Sequence, residues 1–374
     1  MSTPELLTPF TIGGLTLKNR MVVSPMCQYS AIDGMANDWH LAHLGRFAIG
    51  GAALVFVEAT GVEARGRISP GDMGLWNDDQ ARALSRIADF LKANGAAAGV
   101  QLAHAGRKGS TRRPWQTPGG ELTEDDAVRG EAAWETIAPS ALRFADDYPL
   151  PKAMSTADMA EVIVAFREAT KRALDAGFDV VEVHAAHGYL LHEFLSPLSN
   201  HRADDYGGEL QNRMRFPLEV IETVRAVWPG DKPLFLRLSC VDHVEGGLTI
   251  EDTVEVAKAA KALGVDVVDC SSGGNAPAHI KLKPGYQVPY AEQVRREAEV
   301  ATMAVGLILD AKLAQAIVAE GKADLVALAR PMLDDPNFAI HAVAALTGKR
   351  DYAFAPTPAR SGLDRLAQGL RHMD

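Results

Sequence analysis

The sequence predicts an α/β protein built as a single (β/α)8 barrel (TIM barrel), and three observations lead to this prediction. Eight short apolar runs, rich in β-branched residues, alternate with stretches of helical periodicity. The runs are almost continuously apolar, as expected for strands that are covered on both faces. Glycine stands where a helix gives way to the next strand, at Gly177, Gly264 and Gly321. A doubly wound open sheet gives the same alternation, but eight units fit a closed barrel better.

The predicted elements follow one another in a regular order. The strand candidates are residues 21–24, 54–59, 99–103, 180–184, 234–239, 265–270, 302–308 and 324–329. The helical stretches between them include residues 79–93, 156–176, 211–227, 250–263 and 311–319. A chain of 374 residues is long for one domain, but barrels of this kind reach that length. We therefore expect residues 1–374 to form one domain.

Two segments do not fit the regular repeat. Residues 105–154 form a long connection after the third strand, rich in Gly, Pro, Trp and charged residues. Because the loops that follow barrel strands lie at the catalytic face, this segment is predicted to be a lid or capping insertion. Residues 356–374 form a C-terminal tail with basic patches, and we expect it to be peripheral.

Composition and charge exclude several classes of protein. The net charge of −10 argues against nucleic acid or an anionic membrane as the main partner. No apolar run is long enough to span a membrane, and the N-terminus lacks the pattern of a secretory signal. Cys27, Cys240 and Cys270 are far apart, which argues against a disulfide scaffold or a structural zinc site. These features predict a cytoplasmic protein.

Polar residues inside the predicted strands indicate the site. Glu182 and His184 alternate with valines in the fourth strand, so both side chains point to the barrel interior. Gln101 in the third strand and Arg237 in the fifth are likewise flanked by apolar residues. A buried Arg needs an internal carboxylate or an electron-rich ligand, because an unpaired buried charge is costly. An Arg–Glu pair that serves only packing is the alternative.

His184 and His187 are separated by two alanines and are followed by Tyr189. An HxxH pair could bind a metal, but no third ligand stands in an obvious position. The two imidazoles could also be structural, or could together donate hydrogen bonds to one substrate oxygen. Tyr189 could present its phenol to the same pocket, or it could be a core residue.

The last two strands carry the residues expected of a phosphate site. Gly306 follows the seventh strand, and Arg330 follows the eighth. In barrels of this kind, the loops after these two strands usually bind phosphate through backbone N–H groups and a positive charge.

Five motifs together resemble the Old Yellow Enzyme family of FMN ene-reductases, in its bacterial thermophilic-like or xenobiotic-reductase branch. The similarity runs in order from about residue 7 to about residue 345. The motifs are His-Ala-Ala-His-Gly-Tyr-Leu at 184–190 with its continuation through 196–208, Ser-Pro-Met-Cys-Gln-Tyr at 24–29, Gln-Leu-Ala-His-Ala-Gly-Arg-Lys at 101–108, Cys-Ser-Ser-Gly at 270–273 and Pro-Gly-Tyr-Gln-Val at 284–288.

The resemblance implies a (β/α)8 barrel that binds FMN without a covalent bond and uses NADPH or NADH as co-substrate. It places Arg237 at the N1/O2 edge of the flavin and assigns the phosphate to Arg330 with the backbone of Ala329 and Gly306. The residues along the isoalloxazine ring would be Ser24, Pro25, Met26, Cys27, Ala59 and Gln101. The family often has Gly where this chain has Ala329. The resemblance gives Glu182 no role.

The implied activity is NAD(P)H-dependent reduction of activated C=C bonds in α,β-unsaturated carbonyl compounds, with nitro compounds or nitrate esters as further oxidants. His184 and His187 would bind the substrate oxygen, Tyr189 would protonate the α-carbon, and Tyr29 would contact the substrate. Cys27 would tune the flavin and would not act as a nucleophile. No metal is implied, and the partners are small electron-poor alkenes.

Some alternatives remain open at this point. Related barrels that reduce dienoyl-CoA or oxidise amines carry an iron–sulfur domain with clustered Cys, which three scattered cysteines exclude. A metal-dependent lyase using both histidines and a flavin-storing redox sensor responding through Cys27 are the other candidates. The resemblance also implies a homo-oligomer, a dimer or tetramer, in which a tail Arg reaches a neighbouring subunit. The tail here is longer, which puts that role in doubt for Arg360.

Overall fold

The computed structural model describes residues 3–370, and its centre is a closed barrel of eight parallel strands. The strands are β1 Met21–Val23, β2 Leu54–Gly61, β3 Ala97–Ala103, β4 Val180–Ala185, β5 Leu234–Ser239, β6 Val267–Ser271, β7 Ala301–Ala304 and β8 Leu325–Leu328. Each pairs with the next along the chain, and β8 pairs with β1 to close the ring. The predicted barrel is confirmed.

Helices cover the outside of the barrel. The longer ones are α1 Asp38–Ile49, α2 Asp78–Ala93, α3 Thr156–Asp175, α4 Arg215–Val227, α5 Ile250–Ala262, α6 Val288–Ala298, α7 Ala311–Ala319, α8 Phe338–Thr347 and α9 Thr357–Leu370. Shorter helical segments are Glu5–Leu7, Ala64–Gly66, Gly106–Lys108, Glu124–Val128, Leu190–Leu195, Leu210–Arg213 and Arg330–Asp334.

Local sequence explains where several of these helices begin. Asn77, Ser155 and Thr249 each cap a helix by accepting the N–H of the residue three positions later, and each helix returns the bond in a capping box. Such caps satisfy N–H groups that the first turn leaves without partners. The starts of these three helices are therefore specified by their own local sequence.

The structure differs from the predicted elements at two places. The strand expected at 302–308 ends at Ala304, because Gly306 and Leu307 adopt positive φ angles of 116° and 51° that a strand cannot contain. The helix expected at 211–227 is interrupted at Met214. Pro217 accounts for this break, because it has no N–H to donate to the carbonyl of Arg213.

The lower half of the barrel interior is apolar. Phe56, Phe235 and Met303 pack there, and a hairpin of Phe10–Ile12 and Leu15–Leu17 closes the bottom. Gly99 makes room for the ring of Phe56, since a Cβ at this position would lie 2.5 Å from Phe56 Cδ1. The larger core lies between strands and helices. Polar side chains are thereby confined to the upper half of the interior.

The long connection after β3 leaves the barrel and returns. It contains the helix Glu124–Val128 and two paired short strands, Ile137–Ala138 and Lys152–Ala153. Arg113 Nε donates to the carbonyl of Tyr29 at 3.1 Å, and the ring of Trp115 meets the ring of Tyr29 edge-on at 5.8 Å. The segment therefore contacts the loop that follows β1.

The tail forms helix α9 and contacts its own chain. Arg360 donates to the carbonyls of Tyr352 and Ala353. The predictions for residues 1–2 and 371–374 lie outside the described residues. Within residues 3–370, no helix combines the length and the apolar character that crossing a membrane requires.

Candidate active site

A cavity of about 260 Å³ opens at the C-terminal ends of the barrel strands. All but two of the residues predicted for the site line it. Those that do are Ser24, Pro25, Cys27, Ala59, Gln101, His184, His187, Tyr189, Arg237, Gly306, Ala329 and Arg330. The structure thus brings together residues from four strands and from the four segments that follow β1, β4, β7 and β8.

Met26 and Tyr29 do not line the cavity. Met26 packs against the outer core. Tyr29 lies beside Cys27 and Trp115, in a left-handed backbone conformation with φ of 49°. Its ring is therefore adjacent to the cavity wall and covered by the long connection after β3.

Gln101 and Arg237 form the floor of the cavity, and each is bound to a carboxyl group beneath it. Gln101 Nε2 donates to Glu182 Oε1 at 2.8 Å, and Arg237 Nε lies 3.0 Å from Asp269 Oδ2. Arg237 Nη1 also donates to Ser24 Oγ at 3.3 Å. The internal carboxylate that a buried Arg requires is Asp269, on the neighbouring strand β6.

The side chains of His184, His187 and Tyr189 meet at one side of the cavity. His187 Nδ1 lies 3.3 Å from His184 Nε2, and the rings of His184 and Tyr189 meet edge-on at 5.0 Å. Burial, and then the charge of Arg237, hold the pKa of both imidazoles well below the usual histidine value. Burial also raises the pKa of the Tyr189 phenol well above its usual value. The three groups are therefore neutral at neutral pH.

The outer nitrogen of each imidazole is also engaged. His184 Nδ1 accepts the N–H of Ala186 at 3.2 Å, so its proton is on Nε2. His187 Nε2 lies 2.7 Å from Ser271 Oγ. Among the described residues there is no group of three or more His, Cys, Asp or Glu side chains that could hold a metal ion.

The turn that carries His187 and Gly188 is strained and tightly held. Both residues have positive φ, 58° and 73°. Gly188 crosses Gly274 so closely that a Cβ at position 188 would lie 2.2 Å from the Gly274 carbonyl oxygen. Lys108 Nζ donates to the carbonyls of both His187 and Gly274, at 2.9 and 3.0 Å.

A buried pair supports the same turn from below. The N–H of Gly188 donates to His192 Nδ1 at 2.9 Å, and His192 Nε2 lies 3.0 Å from Asp242 Oδ1. The Ser239 hydroxyl accepts the N–H of His187 at 2.9 Å. The imidazole of His187 is thus oriented from three directions.

The opposite end of the cavity is suited to a phosphate group. Within residues 3–370, the exposed guanidinium of Arg330 makes no hydrogen bond or ion pair, so it is free for an anion. At Gly306 a Cβ would lie 2.8 Å from Gln287 Nε2, so glycine keeps this wall open. A bare backbone and a free guanidinium together are what a phosphate site needs.

Cys27 has a buried thiol next to the cavity. The thiol is near Ala59 and the Tyr29 hydroxyl, and burial, reinforced by Glu58 and Asp72, raises its pKa well above the usual value. Since the thiolate is the reactive form, this environment makes Cys27 a poor nucleophile.

Sequence reasoning missed several residues that the structure places at the site. Asp269 was treated as part of an apolar strand, although its spacing from Val267 already indicated an inward side chain. Ser271, Tyr286 and Gln287 also line the cavity. All three lie in motifs that carried the resemblance. Ser271 ends β6 and points inward by the same alternation as Asp269, whereas Tyr286 and Gln287 lie in a loop that gave no periodicity from which a direction could be read.

The comparisons with known proteins agree with this arrangement. The sequence profile of the NADH:flavin oxidoreductase / NADH oxidase family matches residues 5–347. The chain belongs to this family. It is 48% identical over 333 residues to the NADPH dehydrogenase of Geobacillus sp. (strain WCH70), covering 88% of this chain and 91% of that one.

Solved structures give the same result for the fold. Morphinone reductase superposes with a TM-score of 0.76 at 26% identity, over 92% of this chain and 90% of that one. 2-Naphthoyl-CoA reductase superposes with a TM-score of 0.81 at 26% identity over 92% of this chain. The match covers 52% of that longer chain, so this chain spans about half its length.

The predicted membership of the Old Yellow Enzyme family is confirmed. The chain is an NAD(P)H-dependent flavin oxidoreductase with FMN as its cofactor, acting on small molecules. The residues present fit FMN, because the cavity has a free Arg and an open glycine wall at one end and donors on its floor. The branch within the family and the homo-oligomer remain predictions.

Proposed function

We propose that this enzyme reduces activated C=C bonds of α,β-unsaturated aldehydes and ketones, with nitro compounds or nitrate esters as further oxidants. The observation that carries the proposal is the meeting of two neutral imidazoles and a neutral phenol, His184, His187 and Tyr189, in one cavity. Two hydrogen-bond donors and one proton donor are what reduction of a polarised alkene requires.

The residues that would hold FMN lie at both ends of this cavity. Arg330 would bind the phosphate with the backbone of Gly306 and Ala329. Arg237, Gln101 and Ser24 would face the polar edge of the ring, and Pro25, Met26, Cys27 and Ala59 would lie along it. When bound, FMN supplies a position that accepts hydride from NADPH or NADH and passes it to the alkene. Arg237 would favour the negative charge that reduction brings to the N1/O2 edge.

His184 and His187 would bind the carbonyl oxygen of the oxidant. His184 Nε2–H already faces His187 at 3.3 Å, so an oxygen that enters there replaces this contact. For His187 to donate as well, its proton must be on Nδ1, which requires Nε2 to accept the hydroxyl of Ser271. Both bonds strengthen as the oxygen gains enolate character, and such strengthening lowers the barrier.

Tyr189 would protonate the α-carbon. Its raised pKa keeps the phenol protonated over the working pH range, so the proton is always available. Lys108 Nζ lies 5.2 Å from the centre of the Tyr189 ring, and its charge would favour the phenolate that is left. The proton returns to Tyr189 from solvent in the next cycle.

The segment 105–154 would act as the lid of this cavity. Trp115 contacts Tyr29, and Lys108 Nζ donates to the carbonyls of His187 and Gly274, so the segment touches both sides of the site. Closure over the cavity would exclude water, and Tyr29 would then reach the substrate.

Anaerobic turnover tests the proposal directly. The purified enzyme with NADPH and cyclohexenone should give cyclohexanone in a one-to-one ratio to the NADPH consumed. A flavin site that only stores or senses reducing equivalents would consume NADPH with oxygen but give no saturated ketone. Absence of product from cyclohexenone, maleimide and nitroalkenes alike would refute the proposal.

A further inference from the structure

Glu182 is a buried carboxyl group that the proposed reaction does not use. It lies on β4, two residues before His184, and its side chain points into the barrel below the cavity floor. Gln101 Nε2 donates to its Oε1 at 2.8 Å. Its other oxygen, Oε2, is completely buried and has no hydrogen-bond partner within residues 3–370.

A second carboxyl group lies close to the first. Asp269 on β6 is also completely buried, and Nε of Arg237 on β5 lies 3.0 Å from its Oδ2. The charged groups that face Glu182 are therefore Asp269 and Arg237. The other inward groups around it are Gln101 on β3 and His184 on its own strand, and neither carries a charge.

The charges of this cluster balance only if one carboxyl group holds a proton. With both ionised, two completely buried negative charges would share one guanidinium, which is very unfavourable. Asp269 has the ion pair with Arg237, so Glu182, bound only to an amide, is the group that remains protonated. Burial raises its pKa to about 8, and Asp269 adds to the rise while Arg237 and Gln101 oppose it.

We propose that Glu182 is a positioning residue that holds a proton beneath FMN and compensates the negative charge that reduction brings to the ring. The inference rests on the proposed placement of the ring over Gln101 and Arg237. When hydride adds two electrons and one proton to the ring, one negative charge is left above the floor. Above about pH 8, where Glu182 is ionised in the oxidised enzyme, its Oε2 takes one proton from solvent on reduction, and the interior keeps its total charge; below that pH Glu182 already holds this proton.

The pH dependence of the FMN midpoint potential tests this proposal without any alkene. For a two-electron couple, each proton taken up shifts the midpoint by about 30 mV per pH unit. The slope should be about 30 mV per pH unit below about pH 8, where Glu182 is already protonated. It should steepen towards about 60 mV above that pH, because a second proton then enters with the electrons.

Two variants separate Glu182 from its neighbours. Glu182→Gln should keep a slope of about 30 mV per pH unit throughout. Glu193→Gln is the matched control, because Glu193 is also buried with a pKa raised to about 8, but it binds the Arg107 N–H on the helix Leu190–Leu195. Its midpoint-potential slope should steepen above about pH 8, as it does in the unsubstituted enzyme. A slope that still steepens in Glu182→Gln, or that steepens in none of the three, overturns the proposal.

Lys108 is the competing explanation, because burial lowers its pKa to about 8 as well. Steepening that is lost in Lys108→Met and kept in Glu182→Gln would assign the proton to Lys108 and would overturn the proposal.

A second measurement applies if Glu182→Gln does not retain FMN. The redox-difference infrared spectrum of the unsubstituted enzyme above pH 8 should then show a new carboxylic-acid carbonyl band on reduction. This band should shift when glutamate is labelled with ¹³C at the side-chain carboxyl. A spectrum without such a band overturns the proposal, whereas failure of alkene reduction alone would leave both measurements unaffected.

Discussion

Ser271 Oγ lies 2.7 Å from Nε2 of His187, on the side of the imidazole that faces away from His184. The hydroxyl can donate to this nitrogen only when the proton of His187 is on Nδ1. The tautomer in which both imidazoles offer a proton to the same oxygen is therefore the one in which the Ser271 hydroxyl donates to His187 Nε2.

We expect Ser271→Ala to slow reoxidation of the reduced enzyme by cyclohexenone about tenfold, the equivalent of one hydrogen bond of about 1.4 kcal/mol. Reoxidation by oxygen, which needs no carbonyl donor, should be unchanged in the same stopped-flow experiment. Ser272→Ala is the matched control, because its hydroxyl contacts Gln287, as that of Ser271 does, but reaches His243 and not His187. Equal slowing with both oxidants would contradict this role of Ser271.

Removing either imidazole should have a larger effect. His184→Ala and His187→Ala should each slow reoxidation by enones by about 10²–10³, which is typical for the loss of one donor to a developing oxyanion. Because the pKa of both histidines is held well below the usual value, the rate should also show no inflection at the usual histidine pKa. Protonation of either ring near pH 6.5, seen as a loss of rate there, would show that the imidazoles are not neutral donors.

Tyr189→Phe separates the two half-reactions. Without a proton donor, reoxidation by enones should slow by about 10²–10⁴, whereas reduction by NADPH should be almost unchanged because it needs no proton from the phenol. Absorbance of the oxidised flavin in stopped flow follows both steps. If reduction slows as much as reoxidation, Tyr189 is not the proton donor.

Arg330→Ala should give a folded protein that loses most of its FMN on dialysis and recovers activity when FMN is added. The reason is that this guanidinium has no partner of its own within residues 3–370 and lies at the open wall beside Gly306. Arg86→Ala, on the exposed surface of α2, is the control. The flavin-to-protein absorbance ratio after dialysis is the measurement, and a variant that stays fully yellow would place the phosphate elsewhere.

The barrel and most of the polar side chains inside it were predictable, because the alternation of side chains along a strand can be read from the sequence. Alternation of side chains correctly directed Gln101, Glu182, His184 and Arg237 inward. The same rule applied to β6 would have found Asp269, the partner of Arg237. By contrast, the contact of Ser271 with His187 joins the end of β6 to the loop after β4, and no pattern within that loop specifies where His187 lies.

The segment 105–154 illustrates the same limit. Length and composition marked residues 105–154 as an insertion, but contacts such as that of Trp115 with Tyr29 join positions far apart in the chain. Tyr29 was expected at the substrate, yet the structure places it beside the cavity wall. Its place is set by these contacts with the segment, which the sequence of the loop after β1 does not specify.

The close contact between the backbones of Gly188 and Gly274 limits how early during its synthesis the chain can become active. Lys108 and Gly274, which hold the turn at His187, lie 166 positions apart. A nascent chain that has emerged only as far as β5 does not yet include Gly274, so the turn at His187 lacks the backbone against which it packs. Synthesis must therefore pass Asn275 before the imidazoles of His184 and His187 can be fixed, and we expect a fragment that ends earlier to be inactive however much of its barrel has formed.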